Sequence, residues 1–171
     1  VGGTTNLASL TTNASSGSAG ITISGGSIIT TGAIDFGNPI TLSTAATTTF
    51  NAGDTFTLGS TLNGGSNALT ITNNAVINGA ITSVSTLQVG GTTSLGANVT
   101  TTGNQTYTGA VTLTGADRTL EGTTITTSST LAGGANALTI TGNAVFGGAF
   151  TGVTNLSVSG TTSIGGDITT T

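Results

Sequence analysis

Cysteine, histidine, lysine, methionine and tryptophan are absent from this 171-residue chain, and arginine occurs once, at Arg118. Without cysteine no disulfide can form. Without histidine, cysteine or lysine, the side chains that usually hold zinc or run nucleophilic relays are missing. A single cation gives nucleic-acid phosphates and anionic lipid headgroups almost nothing to grip. The acids are Asp35, Asp54, Asp117, Glu121 and Asp167, so charged residues make up 4% of the chain, against about 25% in ordinary globular proteins. No run of about 18 apolar residues occurs, so no segment reads as a membrane-spanning helix. No amino-terminal leader is recognisable either, and the chain reads as a segment of a longer one.

What is present is threonine, at 43 positions, and glycine, at 29. A polar chain with so little charge is not a typical disordered one, because disorder goes with high net charge and few β-branched residues. Here the net charge is -4 and Thr, Ile and Val abound. Those side chains suit a pleated, half-buried surface. No apolar stripe at helical spacing accompanies them. The chain is expected to be all strand and turn.

Its organisation is written in a duplication. Residues 64–81, GGSNALTITNNAVINGAI, return at 133–150 as GGANALTITGNAVFGGAF, and residues 60–102 align with 129–171 at a constant shift of 69. Every large apolar position stays apolar: Leu69/Leu138, Ile71/Ile140, Ile77/Phe146, Ile81/Phe150, Val84/Val153, Leu87/Leu156, Val89/Val158, Leu95/Ile164 and Val99/Ile168 among them. A shorter unit recurs within it: an apolar-x-apolar pair, a Gly- or Asn-rich corner, an apolar residue about six further on, another corner and a last one about four beyond. Units begin at Leu69, Leu87, Val111, Leu138 and Leu156, spaced 18, 24, 27 and 18 residues apart, an average near 23. Short strands with one inward face, broken by corners, fit a right-handed parallel β-helix (β-solenoid) with three strands per rung and rungs about 4.8 Å apart. The expectation is one segment over 1–171 with about seven rungs, internal repeats at 28–98 and 99–168, and a partial repeat at 1–27. Extra length falls in small-residue text such as NASSGSAG at 13–20. Two competitors are weaker. An antiparallel sandwich calls for longer alternating runs, and two immunoglobulin-like modules of 69 residues would lack an aromatic core.

Catalysis has little to work with. A glycosidase needs two facing carboxylates, and the one close pair, Asp117 and Glu121, flanks Arg118 in the loop TGADRTLEG, which reads as a solvated charge cluster. Asp167 in IGGDITT stands alone where calcium-binding solenoids repeat Gly-Gly-x-Gly-x-Asp, and its twin is Asn98. The acceptor triplets beginning at Asn13, Asn98, Asn104 and Asn155 are expected by chance in such text. The chain therefore reads as a non-enzyme, with no catalytic, cofactor-binding or metal-binding residue and no cofactor. One sharper idea comes from Thr-x-Thr doublets at Thr100–Thr102, Thr106–Thr108 and Thr169–Thr171, since regularly spaced hydroxyls and methyls on a flat solenoid face can organise water and bind ice, or meet glycans. Uneven rung lengths argue against a long flat register, and threonine is in any case a stable outward residue on a sheet.

The text TTTGNQTYTGAVTLTGADRTLEGTTIT (100–126), with ANALTITGNAVFGG after it, resembles the repeats of filamentous-haemagglutinin-like giant secreted bacterial adhesins. The resemblance implies a right-handed β-helical shaft, export, and a place at the bacterial cell surface or in the extracellular matrix. On that reading the chain is a structural and interaction protein, a shaft segment of a long filament or adhesin. Its expected partners are a continuation of the same chain or further copies of it, end-to-end or lateral, and cell-surface or matrix glycans. Nucleic acid and membrane insertion are not expected.

Overall fold

The computed structural model describes residues 5–13, 19–43 and 46–170. The length variation expected at 13–20, part of the Asn13 triplet and Thr171 fall outside them.

Alternation of apolar and small polar letters fixes each strand. In Ile40–Leu42 and Leu87–Val89 the outer two residues are buried and the middle one is exposed, as a period of two requires when one side of a pleat faces a core. Gly, Asn and Ser then bend the chain before the alternation resumes. Among the described residues there are twenty-one strands, every pairing between them is parallel, and they form one continuous sheet. A parallel ladder in which each strand pairs with the third one after it is a coil of three-stranded turns. The fold is a β-solenoid of about eight turns, on the order of 40 Å long at about 4.8 Å per turn, one more turn than the sequence reading gave.

Three faces follow. Face one stacks Leu10–Thr12, Ile34–Phe36, Thr55–Leu58, Asn74–Ile77, Thr93–Leu95 and Val111–Leu113, then residues 131–132 and 150–151 and finally Ile168–Thr170. Face two runs from Ile21–Ile23 through Ile40–Leu42, Leu62–Asn63, Ile81–Val84 and Val99–Thr101 to residues 118–121, 138–141 and 156–158. Face three runs from Ser27–Ile29 through Thr47–Asn51, Ala68–Ile71, Leu87–Val89 and Gln105–Tyr107 to residues 125–127 and 144–146 and to Thr162–Ile164. The long strands Arg118–Thr127, Leu131–Phe146 and Phe150–Val158 each round a corner without a break.

Between the faces runs one apolar core from Ile23 to Val153. All five phenylalanines and Tyr107 lie in it. Phe36, Phe50 and Phe56 form one aromatic cluster, with the rings of Phe50 and Phe56 stacked at 5.0 Å, and Phe146 meets Phe150 edge-on at 4.9 Å across the other end.

The register corrects the repeat in two ways. A turn is 18 to 24 residues, from Ile81 over Val99 to Leu10 over Ile34, and not the 18 to 27 read from unit spacing. The 69-residue shift also spans eleven strands, or three turns and two-thirds. Twins consequently sit one face apart: Ile77 is on face one and Phe146 on face three, Leu69 on face three and Leu138 on face two, Val99 on face two and Ile168 on face one. Inward letters stay inward, but they do not share a column. The same text fits all three faces because each demands the same thing, two apolar side chains in and one small polar side chain out.

Local geometry repeats along with the text. In GGSN and GGAN the backbone turns through left-handed φ at Gly65 (54°) and Ser66 (66°), and again at Gly134 (58°) and Ala135 (63°). Side chains tolerate that region poorly, and the asparagine that follows steadies it. Asn67 Nδ2 donates to the Gly64 carbonyl at 2.8 Å and Asn136 Nδ2 to the Gly133 carbonyl at 2.9 Å. Likewise the Thr92 N–H donates to Asn74 Oδ1 and the Thr161 N–H to Asn143 Oδ1, both at 2.9 Å, tying each turn to the next.

Candidate functional site

In-register stacking lines up outward residues in ladders, and these ladders are the surface the molecule offers. Face one shows Thr11, Asp35, Thr57, Val76, Ser94, Thr112, Ala132, Thr151 and Thr169 in succession. Face three shows Thr49, Thr70, Gln88, Thr106, Thr126, Val145 and Ser163. On face two, Thr22, Thr41, Asn63 and Thr82 lead towards Thr100, Glu121 and Thr141. Hydroxyls dominate all three, and no ladder is uniform.

The doublets singled out in the sequence are not brought together. Thr100 and Thr102 flank face two, Thr106 and Thr108 lie on face three, and Thr169 lies on face one with Thr171 outside the described residues. Face three instead assembles an array that sequence spacing had not revealed: Thr70 with Thr72, Thr106 with Thr108, and Thr126 with Ser128, each pair flanking one inward residue. Gln88 and Gly90 interrupt it. An 18-residue step from Thr70 through Gln88 to Thr106 is the signal that reveals it, once turn length is known.

The charge cluster resolves into separate structural roles. Arg118 Nε donates to the Leu95 carbonyl at 3.2 Å and Nη1 to the Asp117 carbonyl at 3.0 Å, while Nη2 donates to the Thr114 carbonyl, so the guanidinium ties the longest corner loop to the turn before it. Asp117 Oδ1 accepts from the Ala137 N–H at 2.8 Å, stapling the loop to the turn after it. Glu121 points outward between Thr100 and Thr141. Beside it runs an open groove of about 590 Å³ bordered by Thr100, Thr141 and Ser159 and floored by Gly122 and Gly142. An apolar pocket of about 280 Å³ lies at the other end, among Leu10, Ile21, Ile23, Ile28 and Phe36, where the core begins. Asp167 is exposed at a corner, and Asn98 Oδ1 accepts from the Thr119 N–H at 2.9 Å. Among the described residues no three of His, Cys, Asp and Glu gather as metal ligands, and no helix is long and apolar enough to cross a membrane.

A buried polar group that sequence reasoning missed lies in the core. Gln105 and Tyr107 occupy the two inward slots of one face-three strand, both fully buried. Gln105 Nε2 donates to the Val99 carbonyl at 3.1 Å and the Glu121 carbonyl at 2.8 Å, and the Tyr107 hydroxyl donates to Gln105 Oε1 at 2.9 Å. Burial pushes the Tyr107 phenol well above its ordinary value by desolvating the phenolate. This group braces the turn where the coil lengthens from 18 residues to about 20. Its chemistry is structural: both polar ends are satisfied internally and neither faces a cavity.

Compared with known proteins, the chain matches no protein family, no curated protein and no solved structure.

Proposed function

We propose that the chain is a shaft segment of a long extracellular filament or adhesin, a rod whose work is extension and association rather than chemistry. The observation that carries this reading is the uninterrupted stack of about eight parallel turns over one core, with an outer surface of small hydroxyls. In such a rod each turn contacts only its neighbours, so length is added without a new fold. The neutral, lysine-free surface and the likeness of residues 100–126 to giant secreted adhesin repeats support placement outside the bacterial cell. The partners are then a further turn over the open edge at residues 156–170, from a continuing chain or a second copy, and surface or matrix glycans. Antibodies raised against the rod, used in immunogold electron microscopy of intact source cells, test it. Labelled surface fibres or extracellular matrix are expected, and label confined to the cell interior removes the reading.

A second reading has one specific observation in its favour. The doublets Thr70/Thr72, Thr106/Thr108 and Thr126/Ser128 on face three form a two-column hydroxyl array of the kind that orders water. An ice-recrystallisation assay decides it: inhibition that Thr106→Glu abolishes favours ice binding, and no inhibition by the native rod excludes it. Glycan contact would rest on hydroxyls and amides alone, since every aromatic ring is inside.

A further inference from the structure

Corner lengths differ sharply around the rod. From the last inward residue of face three to the first of face one the chain always takes four residues: Thr30 to Ile34, Ile71 to Ala75, Val89 to Thr93, Tyr107 to Val111, Thr127 to Leu131, Phe146 to Phe150 and Ile164 to Ile168. All variation in turn length falls on the two corners that flank face two, in loops such as 64–67, 114–117 and 133–136. The short corner is also bare. A Cβ at Gly109 would lie 2.4 Å from the backbone of Gly91, one at Gly148 2.5 Å from Ser129, and one at Gly166 2.5 Å from Gly148. Side chains are excluded there, so successive turns lie tight against each other.

Charge is segregated in the same way. Asp117, Arg118 and Glu121 belong to face two and its flank, Asp35 and Asp54 to the early turns, and Asp167 to the last corner. Over five successive turns, residues 68–76, 87–95, 105–113, 125–132 and 144–151, face three, the short corner and face one carry no charged residue. The result is a smooth, loop-free, neutral wall about 20 Å tall, studded with hydroxyls every ~4.8 Å.

We infer that this wall is a lateral docking surface and that its occupant is a second copy of the chain. The inference deepens the shaft reading by naming the side through which rods associate. Two features select the occupant. A partner can keep hydroxyl opposite hydroxyl over five turns only if it shares the ~4.8 Å period, and a second rod does so by construction. Although each copy is net negative, its charges lie off the wall, so two walls meet without the like-charge repulsion that would otherwise cost several kcal/mol. Face two, with its loops and its carboxylates, satisfies neither condition.

Sedimentation velocity and negative-stain electron microscopy of the full chain test this. The native rod is expected to form side-by-side dimers and bundles as concentration rises. Gln88→Glu, Ser94→Glu, Thr126→Glu and Ala132→Glu together place carboxylates two turns apart on the wall and should weaken association by at least about tenfold. Thr41→Glu with Thr82→Glu, on face two, should leave it unchanged. The matching lysine set on the wall should also be monomeric, and mixing it with the glutamate set should restore pairing. Circular dichroism checks that each variant keeps the native strand spectrum. Single native rods at every concentration overturn the inference, including rods that instead adhere to ice or to a neutral polysaccharide. So does equal loss of association in the face-two variant, or a mixture that fails to pair. None of these outcomes bears on where the rod resides, which the immunogold experiment decides separately.

Discussion

Residues 87–101 and 156–170 share nine of fifteen letters, and the substitutions between them are mild. In the first stretch Leu87, Val89, Leu95 and Val99 are all sealed in the core, whereas in the second Leu156 and Val158 are half-buried, Ile164 is 55% exposed and Ile168 is 36% exposed. The texts are alike and the environments are not. The difference is the turn above: Gln105–Tyr107, Val111–Leu113 and residues 120–121 cover the first stretch, and no described turn covers the second. Burial in this molecule is thus conferred by the neighbouring turn, and stability is a chain of nearest-neighbour terms.

Twin substitutions give the largest test of that statement. Leu95→Asp puts a carboxylate into a dry core and should cost about 4 kcal/mol or more. The same change at its twin, Ile164→Asp, should stay within about 1 kcal/mol because that side chain already meets water. Denaturant unfolding followed by circular dichroism measures both, and equal losses would mean that turns are not independent units.

The cover itself can be weakened. Tyr107→Phe removes the hydroxyl that satisfies Gln105 Oε1 and leaves a buried acceptor unpaired, a loss of about 1–3 kcal/mol. The same phenol sets an alkaline limit. Its folded pKa is raised above the unfolded value of about 10 by burial, so the protonated phenol is favoured in the folded state. That contribution is fully present below pH 10 and declines as pH rises beyond it. Unfolding free energies measured upwards from pH 9 should fall in the native protein and stay flatter in Tyr107→Phe.

An intermediate effect of opposite sign is expected at Thr93. It fills an inward slot, and its Oγ1 is buried without a hydrogen-bond partner. Thr93→Val keeps the shape and removes the unpaired hydroxyl, which should stabilise the rod by about 1 kcal/mol. Its twin Thr162 is exposed, and Thr162→Val should give no gain. Thermal melts of the pair decide whether the covering turn creates this difference.

The inward set was legible from sequence: alternation and the 69-residue duplication together pick out Leu62, Leu69, Ile71, Ile77, Ile81, Val84, Leu87, Val89, Leu95 and Val99, all buried, and with them the parallel stack. Turn count and phase were not. Gln105 and Tyr107 look like surface letters, so their strand was passed over, as was the short inward stretch at Leu131; two strands lost from eleven make three turns and two-thirds look like three. A polar inward residue is invisible to a hydrophobic pattern when hydrogen bonds, not apolarity, make it fit. The face-three array and the neutral wall were hidden for the same reason, because placing outward residues on a face requires the correct turn length.

The smallest expected effect concerns the outer letters. Thr70 lies outward on face three and its twin Thr139 outward on face two, each between two buried apolar residues, Leu69 and Ile71 in one case and Leu138 and Ile140 in the other. Serine keeps the hydroxyl and loses one methyl from a solvent-facing site, with a slight fall in strand preference. Thr70→Ser and Thr139→Ser should each shift stability by less than about 0.5 kcal/mol, and by the same amount. Equality is the informative part. If the faces are interchangeable hosts for one text, moving a residue from face three to face two leaves its energetic setting unchanged. A marked difference in the unfolding midpoints of these two variants would show that the faces impose distinct demands, so that the duplicated text fits one better than the other.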